Sequence, residues 1–472
     1  MAARIERLPV PWTHLAVLGA AVLVGLLAGL NPIFALAAVF GLAFVGIALA
    51  NLTAGLCVFA VLTFVDSVLP AGGALSAPKL MGALLMVSWL AHLTTDEGRR
   101  RRLFEHPGFL YVLALFVLWV MFSLMWAEES APVLDAAFRY LPNALLFPIT
   151  YWAIQTRNQA LWLIGAFVIG TLISAAYGLM SPVDPSEAGR LTGATGNANE
   201  TAAALGAGAA LAAALALALK EPALRVAAAF ILPLCLYSMF LTLSRGALVA
   251  LAAMLVTAVV IAGRKRGPAL AAAAVAALFC VGYFAVIAPP EATERLFESD
   301  GGAGRSDIWR VGWRMVEANP IAGVGAGNFA NTSVHYLIEP GAIVRDEYIV
   351  DTPKVAHNMY LEILAELGII GMALFLTILG YALFCALKAI RRFGELGDRQ
   401  MEIVSRALFI ALIGLLVSDF FGSRQFNKQL WLLMSIAPAL LAIARTGAEA
   451  KADAEAEAES DDYELSPAAI SR

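Results

Sequence analysis

The stretch Val355-Ala-His-Asn-Met-Tyr-Leu-Glu-Ile-Leu-Ala-Glu-Leu-Gly-Ile-Ile-Gly371 joins a long polar segment to an apolar helix, and the rest of the chain is read outward from it. Upstream, from Pro289, charge, glycine and aromatics are mixed; downstream, mostly apolar residues run to Lys388. His357 stands at the junction. A histidine held at a membrane surface beneath a folded polar segment is placed for proton transfer.

Of 472 residues, 60% are hydrophobic and 14% charged, and the mean hydropathy is +0.78. Soluble domains carry about a quarter of charged residues, so the chain is read as an all-α, polytopic integral membrane protein. The net charge of −4 carries little information. Much of the acid lies after Arg445, and residues 446–472 read as an acidic, disordered cytoplasmic tail. The four cysteines, Cys57, Cys235, Cys280 and Cys385, all fall in apolar runs, so no structural disulfide is expected. The first apolar run, behind two arginines, looks like a signal peptide; with many more runs following, it reads as the first membrane helix.

Apolar runs at 13–30, 32–50, 52–69, 79–93, 108–127, 141–155, 159–180, 199–219, 226–243, 246–262, 268–288, 359–387, 403–421 and 429–445 predict about 12 to 14 transmembrane helices. Lysine and arginine mark cytoplasmic loops. With the N-terminus inside, Arg99 to Arg102, Lys220 with Arg225, Arg264 to Arg266 and Lys388 to Arg399 share one side, about nineteen basic residues against about six in the short outside loops. Both termini are then cytoplasmic. The chain divides into N-terminal helices (1–288), a large outside loop (289–356), C-terminal helices (357–445) and the tail.

As one helix, Val226 to Ala262 would be about 55 Å long, too long for one crossing. It must reverse at Ser244-Arg245-Gly246, which puts Arg245 at the outer surface. One outside loop earlier, residues 181–199 hold turn formers and one cation, Arg190, before Asn199, a candidate helix cap with Glu200 in the first turn. Residues 304–320 read as an amphipathic helix. Ser306 or Asp307 caps it, Trp309, Trp313 and Val316 form one stripe, Arg310, Arg314 and Glu317 another, and Asn319-Pro320 ends it. Such a helix can lie on the membrane, close over a site, or pack against its own loop.

Three outside groups stand out as carriers of chemistry: Arg190, Arg245 and His357. An interfacial arginine that snorkels to phospholipid is the ordinary reading of either arginine alone. Two guanidinium forks on one place would hold a diphosphate bidentately and stabilise it as a leaving group. His357 is read either as an interfacial histidine bonded to a carbonyl or as a general base near neutral pH. His335 lacks the short spacing of a zinc site, so no metal is expected. Gly323-Val-Gly-Ala-Gly327 resembles a phosphate loop, but without a strand before it reads as a flexible turn.

The motif Leu243-Ser-Arg-Gly-Ala247, the series Arg305, Trp309 and Asn319-Pro-Ile-Ala-Gly-Val-Gly-Ala-Gly-Asn-Phe329, and His357-Asn-Met-Tyr-Leu-Glu-Ile-Leu-Ala-Glu-Leu-Gly368 together resemble the O-antigen ligase and polymerase superfamily of bacterial envelope glycosyltransferases. The match covers mainly Arg190 to Gly371. The resemblance implies an inner-membrane enzyme with its site on the periplasmic face. Its donor would be a glycan linked to undecaprenyl diphosphate, with no metal, nucleotide sugar or other cofactor, no nucleic-acid partner, and membrane lipids around it. It also implies that Arg190 and Arg245 engage the diphosphate, that His357 activates the acceptor hydroxyl, and that Arg305, Trp309, Arg310 and Arg314 are possible loop contacts. The acceptor is lipid A core for a ligase, the favoured reading, or a growing glycan for a polymerase. A transporter or flippase of lipid-linked sugars is the competing class; it would use acids inside the bilayer, for which Asp66 and Asp419 are the candidates.

Overall fold

The computed structural model describes residues 10–65, 77–96, 98, 107–181, 189–263, 266–287, 305–337 and 354–464. Asp66 and the basic cluster Arg99 to Arg102 lie outside the described residues. A first series of helices comprises α1 (Val10–Leu30), α2 (Pro32–Ala50), α3 (Leu52–Leu62), α4 (Ala77–Thr95), α5 (Pro107–Phe122), α6 (Ser130–Ala153), α7 (Arg157–Met180), α8 (Ala198–Ala218), α9 (Pro222–Leu241), α10 (Arg245–Ile261) and α11 (Arg266–Gly282). The polar segment contributes α12 (Arg305–Ala318) and the short α13 (Phe329–Ser333), and then come α14 (Met359–Glu395), α15 (Arg399–Asp419) and α16 (Lys428–Glu464). Among the described residues there is no strand, and 8 helices are long and apolar enough to cross a membrane. The protein is an all-α, multi-pass membrane protein.

Each apolar run of the sequence finds a helix, with differences at the ends. α6 begins at Ser130, well before residue 141, and runs through Pro142 and Pro148. Neighbouring helices can satisfy the backbone groups that a proline frees inside such a bundle. α16 continues to Glu464, into the stretch read as a disordered tail. Its alanine and glutamate are strong helix formers, which offsets the lack of an apolar face.

The middle of the bundle is α8, alanine and glycine for most of its length and largely buried. Where lipid supplies no hydrophobic drive between helices, small residues let backbones approach and gain dispersion contacts. A Cβ on Gly208 would stand 2.4 Å from Cγ2 of Thr171 on α7. α9 and α15 pack on α8 as well, which brings the α9–α10 turn and the end of α15 beside its N-terminus.

α14 is broken near its start. Gly368 has φ 63 and ψ −169, a conformation open in practice to glycine alone, and there the helix exposes carbonyls and N–H groups with no partner in the next turn. Chain from the polar segment fills the gap. Val324 N–H donates to Ala365 O (2.9 Å), Gly325 N–H to Glu366 O (2.8 Å), and Ile369 N–H to Pro320 O (2.9 Å). Trp119 Nε1 donates to Leu367 O at 3.0 Å. The fit leaves no room for side chains, since a Cβ on Gly323 would lie 2.3 Å from the Glu366 carbonyl carbon and one on Gly368 2.1 Å from Ile321 O. Gly323 to Gly327 is therefore a docked strap rather than a flexible turn.

Candidate functional site

His357 has φ 48, a left-handed conformation that costs an L-residue about 1 to 2 kcal/mol. Bonds on both sides hold it there. Ala356 O accepts from Trp309 Nε1 (3.0 Å), and Ala356 N–H donates to Glu362 Oε2 (3.0 Å). Asn358 caps α14, its Oδ1 accepting from Tyr360 N–H (3.0 Å) and Leu361 N–H (3.1 Å). Ala356 and Asn358 are buried, while the imidazole is half-buried. Burial, then the nearby charges of Arg305 and Lys354, hold the His357 pKa below the ordinary histidine value. The ring is neutral near pH 7 and able to accept a proton.

The cations gather on other elements. Arg190 Nε donates to Thr242 O (2.8 Å) and its Nη2 to Asn199 Oδ1 (2.8 Å). Asn199 is not the helix cap; Asn197 is, accepting from the N–H groups of Asn199 (2.9 Å) and Glu200 (3.1 Å), which frees the Asn199 side chain to hold the arginine. Asn199 O in turn accepts from Arg424 Nη1 (2.8 Å), and Arg424 pairs with Asp419 at 2.7 Å, both side chains almost fully buried. Arg245 is the first residue of α10, behind the cap Ser244 and the left-handed Leu243 (φ 50), with its side chain exposed. The reversal expected in this stretch therefore lies at residues 242–244. Gly246 sits where a Cβ would meet Phe421 at 3.0 Å, so the α10 N-terminus packs directly on the turn after α15.

Arg305 links the two groups. Burial first, then the charges of Arg245 and Arg424, push its pKa below the ordinary guanidinium value, while its own charge acts on His357. Arg190 joins through Asn199 to Arg424. The structure thus brings Arg190, Arg245, Arg305 and His357 to one end of the bundle, on four different segments. A cluster of guanidinium groups at a helix N-terminus favours a polyanion, and a neutral imidazole beside it suits a hydroxyl nucleophile.

α12 packs differently from its sequence reading. The buried stripe is Ile308, Val311, Met315 and Val316, facing α14. Trp309 turns to Ala356 and edge-on to Phe420 (5.5 Å), and Trp313 is exposed. The aliphatic residues fill the core while the indoles, with their polar N–H, stay at its margin. Arg310 lies 3.7 Å from Asp307 and Arg314 Nη1 donates to Tyr336 O at 3.1 Å. Both line an open groove of about 850 Å³ with Trp309, Trp313, Tyr360, Leu364, Met372 and Phe420.

The glycine strap is not a phosphate cradle, because its N–H groups are taken. Besides the pairs with α14, Gly323 N–H donates to Asn319 O (3.0 Å), Ala326 N–H to Ser123 Oγ (3.1 Å) and Phe329 N–H to Glu366 Oε1 (3.1 Å). Asp419, read as an acid a transporter might use, stands at the last residue of α15 and is paired with Arg424. Sequence reasoning missed Arg424, Asn199, Glu362, Glu366 and Gln425 as parts of the site. One signal was available: Glu362 and Glu366 sit four apart in an apolar helix, where acids are costly unless they serve a purpose.

Residues 228–376 match the family model described as O-antigen ligase. That span holds Arg245, Arg305, Glu362 and His357, while Arg190, Asn199 and Arg424 fall outside it. The chain is also similar to the teichuronic acid biosynthesis protein TuaE of Bacillus subtilis, 21% identical over 365 residues that cover 72% of each chain. The matched domain and the distant relative agree with the all-α membrane fold, and they support a likeness to the superfamily of O-antigen ligases and polymerases.

Proposed function

We propose that the protein is a periplasmic-facing glycosyltransferase of the inner membrane, most simply an O-antigen ligase, which moves a glycan from undecaprenyl diphosphate to a hydroxyl of lipid A core. The observation that carries this is that Arg305, whose charge acts on a neutral His357, also neighbours Arg245 and Arg424, the latter joined through Asn199 to Arg190. The acceptor oxygen attacks the anomeric carbon, His357 takes its proton, and the C–O bond to the diphosphate breaks with its electron pair going to the leaving oxygen. Arg190 and Arg245 stabilise the charge that develops there, a preorganised electrostatic contribution. A single displacement inverts the anomeric centre. The apolar groove beside α12 gives a lipid chain a route along Leu364 and Met372 to the same end of the bundle.

A polymerase, whose acceptor is another lipid-linked glycan, is the second reading, and the relative's name, which refers to the making of teichuronic acid, favours keeping it. The test uses the purified protein in nanodiscs with an undecaprenyl-diphosphate glycan and two acceptors offered separately. Transfer to lipid A core supports the ligase; lengthening of the lipid-linked chain supports the polymerase. His357→Ala is expected to slow either reaction about 10²- to 10⁴-fold. A retained anomeric configuration, or movement of the donor across a sealed bilayer without any product, would overturn the mechanism.

A further inference from the structure

The carboxylate of Glu362 is buried, yet among the described residues no arginine or lysine bonds to it. Its Oε2 accepts from Ala356 N–H (3.0 Å) and from the Ser423 hydroxyl, and its Oε1 accepts from the Gln425 side-chain amide (2.7 Å). Three donors on two oxygens compensate a buried acid that would otherwise be costly to keep. All three lie on loops rather than on α14 itself.

The turn after α15 is the other half of the arrangement. Ser423 and Gln425 reach Glu362, while Arg424, between them, points to the opposite side, to Asp419 and Asn199 O. Neighbouring side chains thus reach in opposite directions, and one short segment grips both parts of the site. On one side it holds the loop that carries His357; on the other it holds Asn199, whose side chain holds Arg190. Trp431 Nε1 donates to Gln425 O at 2.7 Å and anchors the turn to α16.

We propose that Glu362 is a positioning residue for His357: by clasping Ala356 to the Ser423–Gln425 turn, it sets where the imidazole stands relative to the arginine cluster. The inference rests on His357 acting as the base. Glu362 touches the residue before His357 rather than its ring, so it fixes the base and takes no proton from it.

The experiment is a double-mutant cycle on the full-length protein in nanodiscs, with an undecaprenyl-diphosphate glycan as donor and the acceptor that supports turnover. Glu362→Ala is expected to lower kcat about 10- to 100-fold, as a misplacement of about 1 Å would, while the donor KM stays within about 3-fold. Glu362→Gln, which keeps an accepting oxygen for Ala356 N–H, is expected to recover most of the rate. On a His357→Ala background, Glu362→Ala should add less than about a 3-fold further loss, because groups that act through one another are not additive. If Glu362→Ala does not yield folded protein, Glu362→Asp, whose carboxylate is one methylene shorter, enters the cycle in its place. A Glu362 loss that persists in full without the histidine, or a loss confined to donor KM, overturns the positioning role while leaving His357 as the base. A His357→Ala enzyme as fast as wild type overturns the base itself, and the clasp with it.

Discussion

Two segments dock on the first turns of α14, and they hold by different means. The strap of residues 319–329 is fastened into the break at Gly368 mainly through main-chain groups, N–H to carbonyl, with side-chain oxygens of Glu366 and Ser123 taking two further N–H groups. The turn of residues 422–427 is fastened through side chains, with Glu362, Ser423 and Gln425 on one side and Arg424, Asp419 and Asn199 on the other. Main-chain docking demands that two backbones come within hydrogen-bond reach, so side chains must be absent and glycines accumulate. Side-chain docking asks only for single polar residues that meet in space. The first leaves a cluster in the sequence, and the second leaves isolated letters.

The largest effect expected is on the strap. Gly368→Ala adds a Cβ into Ile321 O and forces an L-residue into a glycine-only conformation, at a cost of about 3 kcal/mol or more. Thermal unfolding of the detergent-solubilised protein should show a lower Tm or little folded material. Gly380→Ala, in the same helix with nothing within 4 Å of its Cβ, is the control and should be neutral or slightly stabilising. Equal behaviour of the two variants would mean that the strap does not depend on backbone contact.

The turn should yield next, and in a different way. Arg424→Met leaves Asp419 buried without its cation and Asn199 O without its donor, a loss of about 3 to 5 kcal/mol. Adding Asp419→Asn should restore part of it, since removing both charges is cheaper than stranding one. The same melts measure this. No backbone contact offers such rescue, so recovery in the double variant separates the two modes of fastening. If the double variant is no better than Arg424→Met, the pair is not what holds the turn.

The same distinction explains what could be read in advance. The helices were legible because a bilayer demands long apolar runs, and each run has its helix in the structure. That the chain reverses between Val226 and Ala262 followed from length, though the turn lies at residues 242–244 rather than at Ser244-Arg245-Gly246. Arg190, Arg245 and His357 stood out as polar groups where apolar runs end. The docked state of Gly323 to Gly327 did not, because periodicity cannot show a helix breaking at Gly368 to receive it. Arg424, Asn199 and Gln425 are ordinary polar residues near helix ends, and only their meeting gives them a role. For α12 the pattern showed an amphipathic helix, but the choice of buried face was settled by α14, which takes aliphatic side chains and leaves the tryptophans at the groove.

The smallest effect expected concerns the link between the two halves. A general base works only when neutral, so the rate should rise with pH through the His357 pKa and level off above it. Burial and the charge of Arg305 both act against the imidazolium, so this rise should centre below the ordinary histidine value of 6.5. Arg305→Gln removes the cation and leaves the burial. The imidazolium becomes easier to form, the pKa moves back up, and the acid limb shifts to higher pH by less than about one unit. At pH 6 the variant would then lose more rate, relative to wild type, than it does at pH 8. Arg310→Gln, one residue after Trp309 but turned to Asp307, should leave the limb where it is. An acid limb unmoved in Arg305→Gln would mean that Arg305 does not act on the base, and that the buried turn alone connects His357 to the arginines.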